Sequence, residues 1–402
     1  MSLTPFEDLD VDNRRVFVRV DFNVPLSDGK VSDDTRIRAA LPTINSLRER
    51  GARLILASHL GRPKGEWKKE LSMEPVAARL AELLETDVRL PDEVVGDGAT
   101  KVVNDLHAGE IVLLENLRFE KGEKKNDPEF AAALASMADA YVNDAFGVCH
   151  RTHASVVGIA ERVRHKSQGL LVAKETAALG KLIDNPDRPF VAIVGGAKVS
   201  DKLGVLVSLI NRLQANDSVI IGGAMANTFL AARGHDLAKS LVEPELIKDC
   251  QRLFASASAR DIHLLVPVDL RLGTSLADKE AKTHEIDVEA GALPEGTMAL
   301  DIGPVTTRRY ASEVARAGTV FWNGPMGVFE NPAFAQGTLA VAQAVAENQG
   351  FCVVGGGDSV AAVNQSGVAD SINHVSTGGG ASLTFIESGG RLPGLDALLV
   401  EA

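Results

Sequence analysis

Phe190-Val191-Ala192-Ile193-Val194-Gly195-Gly196-Ala197-Lys198-Val199-Ser200-Asp201-Lys202 decides the fold. A β-branched run ends in two glycines and leads into the amphipathic stretch Lys202 to Leu213, the pattern of a strand followed by a helix. The pattern recurs outward in both directions. Strands are expected near residues 15–20, 53–57, 111–115 and 140–143, then 190–194, 218–222, 263–267, 298–302, 319–323 and 351–355. Helical stretches separate them at Arg38 to Arg50, Pro75 to Glu85, Pro128 to Met137, Pro244 to Ser256 and Thr338 to Glu347. This α/β alternation predicts two Rossmann-like three-layer αβα domains, each a parallel sheet covered by helices on both faces. Leu170 to Leu182 is helix-compatible and is halted by Asp184-Asn185-Pro186-Asp187, so it reads as the helix between them.

The strands end in two chemistries. First-half tips are polar or charged: Val20-Asp21-Phe22-Asn23, Ala57-Ser58-His59-Leu60-Gly61-Arg62, Glu115-Asn116-Leu117-Arg118 and Val142-Asn143-Asp144. Second-half tips are glycine: Val194-Gly195-Gly196, Ile221-Gly222-Gly223, Trp322-Asn323-Gly324 and Val354-Gly355-Gly356-Gly357. Open α/β sheets bind ligands at the carboxyl ends of their strands, so one half is expected to grip an anion and the other a nucleotide.

Length and composition bound the rest. A chain of 402 residues exceeds what one core serves, which predicts two domains of roughly 200 residues. Hydrophobic residues at 45% and charged residues at 24% describe an ordinary soluble globular protein. The net charge of −12 disfavours nucleic acid as a partner, because nonspecific binding draws on a basic surface. Cys149, Cys250 and Cys352 are too few and too scattered for a disulfide framework and fit a reducing compartment, the cytoplasm. No run approaches the ~20 apolar residues that span a bilayer, and Met1 to Asp10 is unlike a signal peptide, so no membrane partner is expected.

In the first half, Arg36, His59, Arg62, Arg118, Arg151 and His153 follow or flank predicted tips. Together they make an anion cage, since the planar arginine fork donates paired hydrogen bonds to carboxylate or phosphate and stays charged. Asp21 and Asn23 suit a hydroxyl. Any one arginine alone reads as a surface charge or a cap, but several at successive tips favour the cage. Cys149-His150 with His153 lacks the second cluster of a zinc pattern. Gly65 to Lys69 and Glu120 to Asp127 are polar and read as solvated loops.

In the second half, Lys198 and Lys202 stand four apart and are expected on one helical face, beside glycines whose amides approach phosphate oxygens. Gly355-Gly356-Gly357-Asp358-Ser359 repeats the design, with Asp358 a hard oxygen ligand suited to Mg²⁺. Gly378-Gly379-Gly380 opens a helix whose amides suit a phosphoryl group in flight. The plain alternative for each turn is tight packing. A nucleotide-sensing scaffold has no use for the first-half arginines or Lys198. A two-domain dehydrogenase needs a G-x-G-x-x-G fingerprint that is missing.

Four motifs carry a family resemblance. Arg19-Val20-Asp21-Phe22-Asn23-Val24-Pro25, Ser58-His59-Leu60-Gly61-Arg62-Pro63, Trp322-Asn323-Gly324-Pro325-Met326-Gly327-Val328-Phe329-Glu330 and Thr377-Gly378-Gly379-Gly380 resemble the phosphoglycerate kinases of bacterial type, and the likeness spans nearly the whole chain. It implies reversible, Mg²⁺-dependent transfer between 1,3-bisphosphoglycerate with ADP and 3-phosphoglycerate with ATP, a glycolytic step. It further implies a monomer that bends at a hinge. Residues 1–170 are then the phosphoglycerate-binding domain, 171–185 the interdomain helix and 186–385 the nucleotide-binding domain, with the tail 386–402 packing back on the first.

Carried over by motif, Asp21, Asn23, Arg36, His59, Arg62, Arg118 and Arg151 are the expected phosphoglycerate-binding residues. Lys202, Asn323, Glu330, Gly356, Gly357, Asp358 and Ser359 are expected to hold the nucleotide, with Glu330 on the ribose and Asp358 at the metal. Arg36, Lys198 and the amides of Gly378 and Gly379 form the implied catalytic set. In-line displacement asks for positioning and charge neutralisation more than for proton transfer. Ser359 stands where many members carry threonine, and Ala238 replaces a usual glycine.

Overall fold

The computed structural model describes residues 3–285 and 292–400. They form two compact units. One is the chain up to Ala177 together with the segment from Arg391; the other is Ala178–Gly390. The division falls inside the helix Leu170–Asp184.

The first unit is built on a wholly parallel six-stranded sheet. Its order is Val88–Arg89, Ile111–Leu113, Arg53–Ala57, Arg15–Val20, Ala140–Asp144 and His165–Gln168. Side chains alternate across a strand, so Arg15–Val20 feeds two cores. Val16, Val18 and Val20 pack with Ile37, Ile44 and Leu47 of the helix Thr35–Glu49 and with Leu80 of the helix Glu74–Leu84. Phe17 joins Ile55, Val112, Tyr141, Phe130 and Leu134 on the other face. Each such wholly buried side chain contributes ~1.5–3 kcal/mol relative to exposure. Leu398 completes the second core, and Gly394 N–H donates to Cys149 O (2.8 Å), so the chain's last segment belongs to this unit.

The second unit holds another parallel sheet, ordered His263–Leu265, Ser218–Ile221, Phe190–Val194, Thr319–Asn323, Phe351–Gly355 and His374–Val375. Counted along the chain within this sheet, the order is the doubly wound 3-2-1-4-5-6 arrangement, whose ligand crevice opens where the winding reverses. Here that place is between Phe190–Val194 and Thr319–Asn323. Trp322, Val320, Val191 and Val354 face Tyr310, Val341 and Val363 in a single core.

Three differences from expectation have simple causes. The strand at 298–302 exists but pairs antiparallel, in a separate sheet with Asp269–Gly273 and Lys282–Glu285, because a short apolar run carries no information about its partner. The edge strands Val88–Arg89, His165–Gln168 and His374–Val375 are two to four residues long, below the length at which periodicity is readable. At Pro244 the chain first makes a short 3₁₀ turn, Pro244–Leu246, and the α-helix runs over Ile247–Ala259. All three cysteines are free and buried. Among the described residues, no helix is long and apolar enough to cross a membrane.

Candidate active site

In the first unit the central strand delivers Asp21, Phe22 and Asn23 to the carboxyl rim, where neighbouring tips fix them. Phe22 N–H donates to Ser58 Oγ (2.8 Å) and Gly61 N–H to Asn23 Oδ1 (2.9 Å). The buried Asn116 accepts from Leu60 N–H (3.1 Å) and donates to Leu60 O (2.7 Å) and Leu71 O (2.9 Å), which pins the His59–Arg62 turn. Arg36, in the first turn of its helix, donates to Asp21 Oδ2 (3.1 Å) and Asn23 O (3.3 Å); Arg118 donates to Gly61 O (2.7 Å). Asp21, Asn23, Arg36, His59 and Arg118 thus converge. Arg62 and Arg151 stand exposed nearby, Arg151 close enough to Arg118 to depress its basicity.

Two buried atoms in this cluster lack a partner, Asp21 Oδ1 and Arg118 Nε. One accepts and the other donates, the pair of functions that a hydroxylated anion would satisfy.

Beneath the rim lies a charge that the motifs did not assign. Arg19 is fully buried; its Nε donates to Ser155 Oγ (2.9 Å), one terminal nitrogen, Nη1, to Val20 O and the other, Nη2, to His59 Nδ1 (3.1 Å). Ser155 in turn donates from Oγ to Glu123 Oε1 (2.6 Å) and from N–H to Glu123 Oε2 (3.0 Å). Glu123 is itself fully buried, so at this one residue the expectation of a solvated loop over Glu120 to Asp127 fails, while Lys121, Lys124 and Lys125 are exposed as expected. A buried guanidinium needs a counter-charge, and the loop turns one inward. The signal was present: Arg19 interrupts the apolar run from Val16 to Val20 in the central strand.

Burial raises the Glu123 carboxyl against the pull of Arg19 and Ser155. Burial and the Arg19 and Arg118 guanidinium groups hold His59 well below its ordinary value. The same causes take His153 to about 3, and burial with Arg151 takes His150 to about 4. These imidazoles are neutral at neutral pH, so the cationic character of the site comes from arginine.

In the second unit the crevice at the winding reversal carries Lys202. Its Nζ donates to Asn323 O (3.1 Å) and to Asn323 Oδ1, and Asn323 Nδ2 donates to Gly355 O (2.8 Å). Burial lowers the Lys202 ammonium to about 8, opposed by Asp358 and Asp201. Lys198 and Lys202 share no helical face, contrary to expectation, because the helix starts at Leu203. Glu243, unassigned by any local motif, accounts for this. It accepts from Val199 N–H (2.6 Å), Ser200 N–H (3.2 Å) and Ser200 Oγ (2.5 Å), fixing an irregular loop on which Lys198 stands exposed.

Asp358 is exposed in the first turn of the helix Gly357–Ser366, while Ser359 is buried and accepts from Gly324 N–H (2.5 Å). Glu330 is exposed on a turn. Gly378 N–H donates to Ser376 Oγ (3.1 Å), and Gly379, at φ +54°, precedes the helix Gly380–Glu387.

Glycine serves two purposes here. A Cβ on Gly195 would meet Pro325 O at 2.2 Å, on Gly223 Gly196 O at 2.4 Å, and on Gly324 Gly195 O at 2.2 Å. At these tips backbone packs on backbone. A Cβ on Gly357, Gly379 or Gly380 would meet nothing within 4 Å, leaving space in which a ligand fits against the chain.

A family model described as phosphoglycerate kinase matches residues 6–389. The chain belongs to the phosphoglycerate kinase family. It is 53% identical over 400 residues to a phosphoglycerate kinase of Anaeromyxobacter sp. (strain K), with 99% of each chain covered. It is equally identical over 398 residues to that of Moorella thermoacetica, again covering 99% of each. Among solved structures, the phosphoglycerate kinase of Coxiella burnetii superposes with a TM-score of 0.87 at 40% identity, covering 99% of both chains. That of Pyrococcus horikoshii gives 0.84 at 35%, covering 98% of this chain and 97% of the other. Membership of the phosphoglycerate kinase family makes the chain an enzyme, a phosphotransferase with a glycolytic role.

Two features of this phosphoglycerate kinase family member bear on its nucleotide side. No group of three or more His, Cys, Asp or Glu able to hold a metal ion by itself occurs among the described residues. Asp358 beside open Gly357 nonetheless fits Mg²⁺, which takes one or two carboxylates and completes its shell with substrate phosphates and water. Ala238 adopts φ +48°, the left-handed region where glycine is comfortable, and its N–H donates to Asp236 Oδ1 (3.0 Å).

Proposed function

We propose that the enzyme catalyses reversible, Mg²⁺-dependent transfer of a phosphoryl group between 1,3-bisphosphoglycerate and ADP, giving 3-phosphoglycerate and ATP. The observation that carries the reading is the unpartnered pair Asp21 Oδ1 and Arg118 Nε, buried within a rim of arginines. Asp21 and Asn23 take the glycerate hydroxyl, while His59, Arg62, Arg118 and Arg151 hold its anionic ends. On the nucleotide side, Lys202, Gly356 and Gly357 face the phosphates and Glu330 the ribose, while Asn323 positions Lys202. Ser359 contributes by holding Gly324. Asp358 would hold Mg²⁺, whose chemistry when bound is to neutralise phosphate oxygens.

The bond from phosphorus to the acyl oxygen breaks as the bond to a terminal oxygen of ADP forms, and the carboxylate leaves with the electron pair. Arg36 and Lys198 offset the charge that spreads over the transferred group, and the Gly378 and Gly379 amides add their dipoles. These groups belong to different units, so turnover requires the units to close about a hinge. The enzyme acts as a cytoplasmic monomer.

One experimental series tests this. A coupled assay should show ATP-dependent phosphorylation of 3-phosphoglycerate only with Mg²⁺ present; inactivity in both directions overturns the assignment. Solution scattering should show a smaller radius of gyration with both substrates bound. An unchanged radius overturns closure alone.

A further inference from the structure

His59 is the one residue of the phosphoglycerate rim whose role depends on where a proton sits. Its Nδ1 lies 3.1 Å from a terminal nitrogen of Arg19. A guanidinium has donors only, so Nδ1 must accept, and a proton there would set donor against donor. Asp21 Oδ1 is the nearest carboxylate oxygen, 3.9 Å from the same Nδ1, too far for a hydrogen bond. Arg19, Arg118, His153 and Arg36 all disfavour a positive ring electrostatically.

Arg19 in turn is held from below. Its Nε bonds Ser155 Oγ, and the same hydroxyl passes its own proton to Glu123. Serine can donate to Glu123 while accepting from Arg19, so the order Glu123, Ser155, Arg19, His59 forms a chain with every donor direction fixed. All four residues are buried, His59 being 4% exposed.

We propose that Arg19 fixes His59 as the tautomer with its proton on Nε2, and that Ser155 and Glu123 are the positioning residues that hold Arg19 for this purpose. The inference rests on the reading of His59 as a phosphoglycerate-binding residue. His59 then offers substrate a rigid, uncharged N–H donor, and the site's positive charge stays on arginine. Neither Ser155 nor Glu123 touches the substrate.

The test is nitrogen NMR of the substrate-free enzyme with ¹⁵N-labelled histidine, the His59 signals being assigned among the nine histidines by their loss in His59→Gln. From about pH 5.5 to 8, Nε2 should read as protonated and Nδ1 as unprotonated throughout. A proton on Nδ1, or titration of the ring near its ordinary pKa of about 6.5, overturns the proposal. This measurement needs no substrate, so it fails or succeeds independently of the binding reading.

Ser155→Ala should mix the two tautomers and raise KM for 3-phosphoglycerate about fivefold, the worth of one hydrogen bond, with kcat held within about twofold. Arg19→Lys keeps the counter-charge for Glu123 but lacks the fork, and should mix the tautomers further. Unchanged tautomers in both variants overturn the proposal, whatever happens to KM.

Discussion

The two units hold their strand tips by opposite means although both are doubly wound parallel sheets. In the first, tips are held by side chains such as Ser58, Asn23 and Asn116, and arginines supply the charge. In the second, tips are held by backbone packed on backbone at Gly195, Gly223 and Gly324, and the open glycines leave room beside the chain. On the proposed reading, the difference teaches that a small acid with few atoms is read by many side chains, while a polyphosphate is gripped by repeated amides. Side-chain cages buried this deeply require their own supporting layer, here Arg19, Ser155 and Glu123. The glycine crevice has less to support, and its half-buried Lys202 is held by Asn323 in the bonds seen.

The contrast is tested most sharply at the two cations proposed to act on the transferred group, the half-exposed Arg36 of the first unit and the exposed Lys198 of the second. Arg36→Ala and Lys198→Ala should each lower kcat by ~10³ or more, the scale of losing one phosphoryl-stabilising charge. Steady-state kinetics on the two variants checks this. A loss confined to one of them would place the transition-state charge on a single unit.

The glycines sharpen it further. Gly195→Ala forces a Cβ into Pro325 O, and such overpacking should cost ~1–3 kcal/mol of stability in urea unfolding. Gly357→Ala meets no atom and should unfold as the parent does, within about 0.5 kcal/mol, while raising KM for ATP. Equal destabilisation by both would mean that the two sets of glycines do the same work.

Much of this was legible in the chain. The apolar runs at Arg15–Val20, Phe190–Val194 and Thr319–Asn323 read as strands because they are long enough to show a pattern, and the residues just beyond them are the rim. What stayed hidden depends on pairing across large sequence separations. Glu243 shapes the Lys198 loop from more than forty residues away, and Glu123 serves an arginine in the first strand. Neither belongs to a local pattern, and Glu123 sits in a segment whose composition mimics solvent-exposed loop. Whether a glycine packs or opens is equally invisible, since Gly195 and Gly357 both belong to glycine runs at strand ends and what lies opposite each cannot be read from the chain.

The smallest expected effect concerns Lys202, the lysine of the nucleotide side whose pKa burial depresses. Arginine keeps its charge at every working pH, so the phosphoglycerate rim should not lose affinity on the alkaline side. Lys202 differs, because burial brings it to about 8. A depressed lysine is charged below that value and loses its proton as pH rises through it, so the attraction for phosphate fades in the same window. Between pH 7.5 and 8.5 the charged fraction falls about threefold, and KM for ATP should rise by about that factor while KM for 3-phosphoglycerate stays level. Lys202→Arg should flatten the profile, since guanidinium does not titrate there. A flat profile in the parent would mean that Lys202 remains charged despite its burial beside Asn323, with Asp358 supplying the compensating field.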